Sequence, residues 1–271
     1  MRLKERRTMK RHSRLLVQYF AQYAKVRLAY KADFIIAFFS SMAATVLGFG
    51  FVLVLFTKIP RLQDWSFNEI LFLYGFSLIP LGFFNVVSWN LYDFSELYIV
   101  EGKFDRVLLR PVSTLFQVVF EKFRLESLQE VATGLFVVGL CIRHLHLVMR
   151  VPDHLWFVVM IVCGSAIYLS VFLILTAVSF WFEDRVGIVP PVFNMLNFSR
   201  YPLTIYNVFI QFLLSWIIPF GFATFYPTTH FLGRTSFNLY FHLVPVVAAG
   251  FVTLAILVWN RGVGNYSSTG T

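Results

Sequence analysis

Few residues in this 271-residue chain carry side chains suited to chemistry, and their spacing narrows what that chemistry is. Glu126 and Glu130 stand four positions apart, so a helix puts both carboxylates on one face, one turn from each other. On one reading they line the cytoplasmic mouth of a pathway. On the other they mark a helix start at the membrane surface, where acidic groups suit the positive helix end and Lys122 pairs with Glu126. We prefer the helix start, and on that reading neither carboxylate couples transport to a proton. His144 and His146, in RHLHL, have no Cys or carboxylate nearby to complete a ligand set, so no metal site is expected. Cys141 and Cys163 both sit inside apolar runs, which argues against a disulfide framework.

Motifs for enzymatic chemistry are missing. The chain has no G-x-x-x-x-G-K-[ST], no G-x-S-x-G and no H-E-x-x-H. No catalytic residue, cofactor or metal is expected in it, and any ATP would bind elsewhere. Beyond the N-terminus, the segment that combines charge with turn signals is EGKFDRVLLRPV, residues 101–112. Gly102 permits a sharp turn and Pro111 ends or redirects a helix. Between them Leu108 and Leu109 form an apolar patch, with Glu101, Lys103, Asp105, Arg106 and Arg110 offering charge pairing around it. Such a segment serves either as a docking surface for a soluble motor or as an ordinary amphipathic loop. Its composition alone does not separate the two.

The elements that must position these residues are set by hydropathy. The chain is 58% hydrophobic and 14% charged, with mean hydropathy +0.70, whereas a soluble domain would be roughly one quarter charged. Thirty-three phenylalanines are too many for one water-facing fold to hide. The fold class is therefore an all-α integral membrane protein. A span needs roughly 20 apolar residues, and uncharged runs place spans at 34–57, 70–92, 125–142 and 155–182. From Arg200 to Arg234 no charged residue intervenes, which is too long for one span, and Pro219 and Pro227 break it. We expect a fifth span at about 201–220 and a re-entrant outer segment over 222–237, with Pro219, Gly221 and Pro227 as gate residues. The sixth span covers about 239–259.

Residues 1–31 carry ten basic side chains, and Leu16, Tyr19, Tyr23, Val26 and Tyr30 recur at helical spacing. This predicts an uncleaved cytoplasmic tail with an amphipathic helix lying in the headgroup layer. A six-span transmembrane domain follows over 32–260, containing a cytoplasmic coupling segment at 93–124, and 261–271 form a short cytoplasmic tail. With both ends cytoplasmic, the basic residues of the N-terminus join Lys103, Arg106, Arg110, Lys122, Arg124, Arg185, Arg200 and Arg261 inside. Only Lys58, Arg61, Arg143, Arg150 and Arg234 remain outside, as the positive-inside rule requires. Spans one, two, four, five and six carry no charged residue in their interiors, which disfavours an ion-coupled carrier.

The stretch EGKFDRVLLRPVSTLFQVV strongly resembles the cytoplasmic signature of bacterial type-2 ATP-binding-cassette (ABC) permeases. RYPLTIY and IIPFGFATFYPTTHFLG fit the same family in order, and the resemblance covers nearly the whole chain. It implies a six-span exporter subunit in the bacterial cytoplasmic (inner) membrane, paired as a homo- or heterodimer. It also implies a separate cytoplasmic ATPase subunit that binds ATP and Mg. Glu101 to Pro111 is then the coupling segment and Phe222 to Gly233 the outer re-entrant element. A stand-alone channel or ion-coupled secondary transporter is the alternative. The resemblance does not identify the cargo, for which aromatic-rich walls suit a hydrophobic, amphipathic or aromatic-cation molecule.

Overall fold

A computed structural model describes residues 18, 19, 21, 22, 25, 31–182 and 189–268. Of the expected interfacial helix only 18, 19, 21, 22 and 25 are described, and they are helical; Leu16, Tyr23, Val26 and Tyr30 lie outside the described residues. The described residues fold as helices without a β-strand. In chain order these are α1 (Lys31–Lys58), α2 (Phe67–Val87), α3 (Trp89–Tyr92), α4 (Phe104–Leu108), α5 (Thr114–Phe120), α6 (Leu128–His144) and α7 (Val151–Ala177). They continue with α8 (Val189–Met195), α9 (Val208–Phe212), α10 (Phe220–Ala223), α11 (Phe225–Phe231) and α12 (Asn238–Asn265). With their flanking turns, five of these helices are long and apolar enough to cross a membrane.

Helix α2 is the axis of the bundle. Ser66 precedes it, and both its backbone N–H and its hydroxyl donate to the Glu69 carboxylate, at 2.9 and 2.8 Å. Thus the helix start holds its own polar groups together. Most of its residues from Ile70 to Asn85 are buried, whereas α1 buries only Thr45 and Val52. Apolar helices gain little from hiding one another in lipid, so association depends on close packing at small residues. Gly75 and Gly134 supply it where α2 crosses α6, and Gly82 supplies it against Val131 two turns further along α2.

Neighbour pairs fix the direction of every segment. Along α2, Gly75 meets Val137 and Gly82 meets Val131, so α6 runs antiparallel to it. Phe76 meets Phe157 and Phe84 meets Phe172, so α7 runs parallel to α2. Trp156 meets Phe241 and Phe180 meets Trp259, so α12 follows α7. Helix α1 runs the other way, with Ser41 beside Glu130 and Phe49 beside Tyr74. The described beginning of α1 and the end of α12 therefore share the end of the bundle that carries Val87. Lys103, Arg106, Arg110, Lys122, Arg124 and Arg261 lie at that end too, while Lys58, Arg143, Arg150 and Arg234 lie at the Phe67 end.

The fifth crossing differs from the expected one. Val189 lines the cavity beside Tyr92 at the Val87 end, whereas the Thr204 hydroxyl accepts from the Trp65 indole N–H at 3.0 Å, beside Phe67. The chain thus traverses the bundle over 189–204, as α8 followed by short 3-10 turns at Leu196–Arg200 and Leu203–Ile205. The expected span at 201–220 starts where this crossing ends. Residues 208–231 instead enter and leave from one side, because Trp65 touches both Thr204 and the Arg234 guanidinium, the latter 3.8 Å above its ring. The two arms, Val208–Ile217 and Phe220–Phe231, bend by 71° at Ile218–Pro219. Pro190 and Pro191 fit the first turn of α8, whereas Pro202 lacks a backbone donor and holds Tyr201 extended, which stops helix from running on through the crossing. At the opposite boundary, α12 continues to Asn265, past the expected end at Trp259.

At the α2–α6 crossing a Cβ on Gly134 would fall 2.6 Å from the Gly75 carbonyl oxygen, whereas one on Gly139 meets nothing within 4 Å. Gly134→Ala should cost about 1–3 kcal/mol by overpacking, and Gly139→Ala should be neutral or stabilising. Thermal unfolding of the detergent-purified variants checks this; equal midpoints would mean that the helices do not approach so closely.

Candidate docking surface and intramembrane polar cluster

The segment from Ser95 to Pro111 is built around one buried ring. A turn of π-helix, Ser95–Val100, leads to Gly102, whose φ of +67° is the left-handed conformation that glycine adopts without a Cβ penalty. Helix α4 then buries Phe104 and Val107 completely while Leu108 and Leu109 face outward. Phe104 sits among Phe180 at 5.0 Å, Tyr266 at 5.0 Å, Phe94 at 5.9 Å and Trp259 at 6.3 Å, centroid to centroid. This socket joins α4 to the ends of α7 and α12. From below, the Gln117 amide donates to the Val107 and Val112 carbonyls at 3.1 and 3.0 Å, satisfying groups that the short helix leaves open.

Charged groups fill the rim. Lys103 pairs with Glu101 at 2.6 Å, and Arg106 pairs with Glu121 at 3.4 Å. Asp105 accepts from the Ser268 hydroxyl at 2.6 Å. Burial and the neighbouring Asp105 carboxylate push the Tyr266 phenol up to about 12. Burial and a hydrogen bond donated to Glu121 at 2.6 Å likewise raise the Tyr98 phenol, so both stay protonated at neutral pH. Gly102, Arg110 and Pro111 complete the segment, and the last two are exposed. Leu109 is 85% exposed and Leu108 45% exposed, so the outer face is an apolar pair framed by charges.

A second constellation lies within the bundle. The Glu130 carboxylate accepts from the Asn85 amide at 2.8 Å on one oxygen and faces the Ser41 hydroxyl at 3.4 Å on the other. Gln129 donates to Ser41 at 2.9 Å and reaches Thr45 at 3.4 Å. Three helices, α1, α2 and α6, are thereby joined through polar side chains, and α1 has little other burial. Glu126, 2% exposed, lies 3.5 Å from Arg124. The expected pairing with Lys122 is replaced because the Arg124 N–H bonds the Val86 carbonyl at 2.8 Å, which aims that side chain inward. Arg124 also stands 4.8 Å over Trp89 at the rim of a cavity of about 300 Å³, floored by Phe84, Phe172 and Phe193.

Arg200 falls elsewhere than the charge count placed it. Its guanidinium donates to the Tyr74 hydroxyl at 3.0 Å, inside the fifth crossing and two turns of α2 from Phe67. The sequence places Arg200 on the inner side, just before the expected span at 201–220, whereas it lies within the crossing over 189–204.

A family model described as ABC-2 family transporter protein matches residues 39–270. The chain belongs to the ABC-2 transporter family. No curated protein and no solved structure matches it. As an ABC-2 permease it is a multi-pass membrane subunit of an ABC transporter.

The two arms of this permease's re-entrant element, at the Phe67 end, reach deep. Phe220 packs on Tyr168 at 5.1 Å, level with Phe84, about 25 Å from Phe67 at 1.5 Å per residue. Pro219 is the turn at its tip, and Gly221 lies against Leu203 and the Leu214 carbonyl with no room for a Cβ. Pro227 sits in the fully packed α11. Proline and glycine spacing signalled the break but not which arm was which. The socket residues Phe94, Phe104, Phe180 and Trp259 escaped notice because lone aromatics in an aromatic-rich chain carry no pattern. Asn85 and Arg200 were legible only as polar residues in apolar surroundings.

If Phe104 anchors the docking face, Phe104→Ala should cost about 3–5 kcal/mol locally. Trypsin should then cut the reconstituted variant after Lys103, Arg106 or Arg110 several-fold faster than wild type. Leu109→Ala should leave the rate unchanged, and identical cleavage of all three proteins would show that Phe104 does not hold the segment.

Proposed function

We propose that this chain is the membrane-spanning permease subunit of a bacterial exporter in the cytoplasmic membrane. A second permease subunit completes the pathway, and a separate ATPase, which binds ATP and Mg, drives it through the segment Glu101–Pro111. Arg124, Glu126 and Glu130 stand at the cytoplasmic mouth, and the 208–231 hairpin with Pro219, Gly221 and Pro227 forms the outer gate. The observation that carries this reading is the pairing of exposed Leu108 and Leu109 with buried Phe104 on one five-residue helix and the residue that caps it. A face that a soluble partner can grip is thereby tied rigidly to α7 and α12.

Burying one leucine contributes about 1.5–3 kcal/mol, against about 0–1 kcal/mol for an exposed ion pair such as Lys103–Glu101. A Leu108→Ser, Leu109→Ser variant should therefore lose its ATPase in a detergent pull-down, while neutralising any single charge weakens binding less. Wild-type recovery of the ATPase by the double variant would move the docking site to the loop at Glu183, Asp184 and Arg185, which lies outside the described residues. Orientation is checked in intact cells with an impermeant thiol reagent: a cysteine at 234 should label and one at 106 should not.

Glu130 is the one observation that favours the ion-coupled carrier, since a carboxylate at membrane depth has a function by default. Its contacts with Asn85 and Ser41 are ones that a glutamine amide also makes, which favours a structural role. Glu130→Gln should assemble and show the same pH profile of ATP hydrolysis in the reconstituted complex. Loss of pH dependence in that variant would favour proton coupling.

A further inference from the structure

Arg200 is a guanidinium at membrane depth with no counter-ion among the described residues. Among those residues one of its five N–H groups has an acceptor, the Tyr74 hydroxyl at 3.0 Å, and its Nε–H is buried with none. Among the described residues no carboxylate lies within 4.0 Å of it. Glu130 acts on it only from a distance, and the Glu130 oxygens already face Asn85 and Ser41. An arginine in this position costs several kcal/mol unless something neutralises it. Yet the fold spends further residues on holding it there.

Tyr74 is fully buried on α2 and receives the guanidinium both at its hydroxyl and above its ring, 5.4 Å from the centroid. Gly48 of α1 lies directly against that hydroxyl, and any Cβ there would overlap it. Tyr201 closes the other side at 6.5 Å from Tyr74. Because the Tyr74 oxygen accepts from Arg200, its own O–H remains a donor. The result is a group of donors with no anion among the described residues, walled by Phe49, Phe51, Tyr74 and Tyr201.

We propose that Arg200 and Tyr74 form a recognition site for the anionic group of an amphipathic molecule, a carboxylate, sulfonate or phosphate whose apolar body rests on the surrounding rings. The proposal rests on the permease reading and adds the chemical class of the cargo. A guanidinium fork matches such groups bidentately, and at low dielectric each charge-assisted hydrogen bond is strong. The site sits where the fifth crossing meets α1 and α2, two turns in from the Phe67 end, so a bound anion would lie on the route between the two ends of the bundle. A bound phospholipid headgroup and an exported amphipath share this chemistry.

The test uses the full-length chain in nanodiscs of zwitterionic lipid, with a dansylated long-chain carboxylate and the matching dansylated alkylammonium as probes. Wild type should bind the carboxylate at least tenfold more tightly than Arg200→Gln, with ammonium binding equal in the two. Arg200→Lys should recover part of the affinity. Tyr74→Phe, which keeps the ring and loses the hydroxyl, should weaken the carboxylate severalfold and provides the test should Arg200→Gln fail to insert. Competition by added phosphatidylglycerol would identify a lipid headgroup as the occupant, and indifference to it would identify cargo; both support the site. Equal carboxylate binding by wild type and Arg200→Gln overturns it. So does loss of subunit pairing in Arg200→Gln without loss of probe, which would assign the arginine to an acid on a second copy. ATPase capture through Leu108 and Leu109 is measured separately, so failure of this site leaves the permease reading standing.

Discussion

The close approach of α2 and α6 at Gly75 and Gly134 is the constraint on which the rest of the bundle depends. Water drives soluble helices together, but lipid tails are as apolar as leucine and offer no such drive. What remains is contact at short range, and glycine is what lets two backbones reach it. Once α6 is set against α2, its N-terminal turn carries Gln129 and Glu130 to the side chains of Asn85, Ser41 and Thr45. That polar network is what fastens α1, whose own surface is mostly apolar and exposed.

The Val87 end is organised by aromatic contact in place of backbone approach. Phe94, Phe104, Phe180 and Trp259 converge from four segments separated widely in sequence. Edge-to-face packing of such rings is directional, so the socket sets the orientation of α4 as well as its position. The exposed leucines therefore point to a fixed place relative to α7 and α12.

That crossing and the hairpin behind it are irregular for a reason that membrane physics supplies. Backbone that departs from a helix at membrane depth must find other partners. Here the Thr224 hydroxyl donates to the Ser199 carbonyl at 2.8 Å, and the Ser199 hydroxyl meets the Tyr168 phenol at 3.0 Å. The hairpin and the broken crossing thus satisfy each other. Arg200, on the crossing itself, faces away to Tyr74 of α2.

The sequence by itself determined the class, the approximate places of the five long helices and the position of a charged segment between the second and third spans. Those follow from local quantities: hydropathy over about 20 residues, charge in loops, and proline or glycine where a helix stops. EGKFDRVLLRPV was legible because its composition contrasts with everything around it. Only the tertiary structure decided that Leu108 and Leu109 face out while Phe104 faces in, since helical spacing over five residues fixes relative but not absolute facing. Only it decided that the fifth crossing precedes Thr204, because an uncharged run of 33 residues between Arg200 and Arg234 contains no local mark of direction. And only it placed Arg200 inside the bundle, since one cation at the edge of an apolar run reads as a loop residue until a neighbouring helix supplies the tyrosine that holds it.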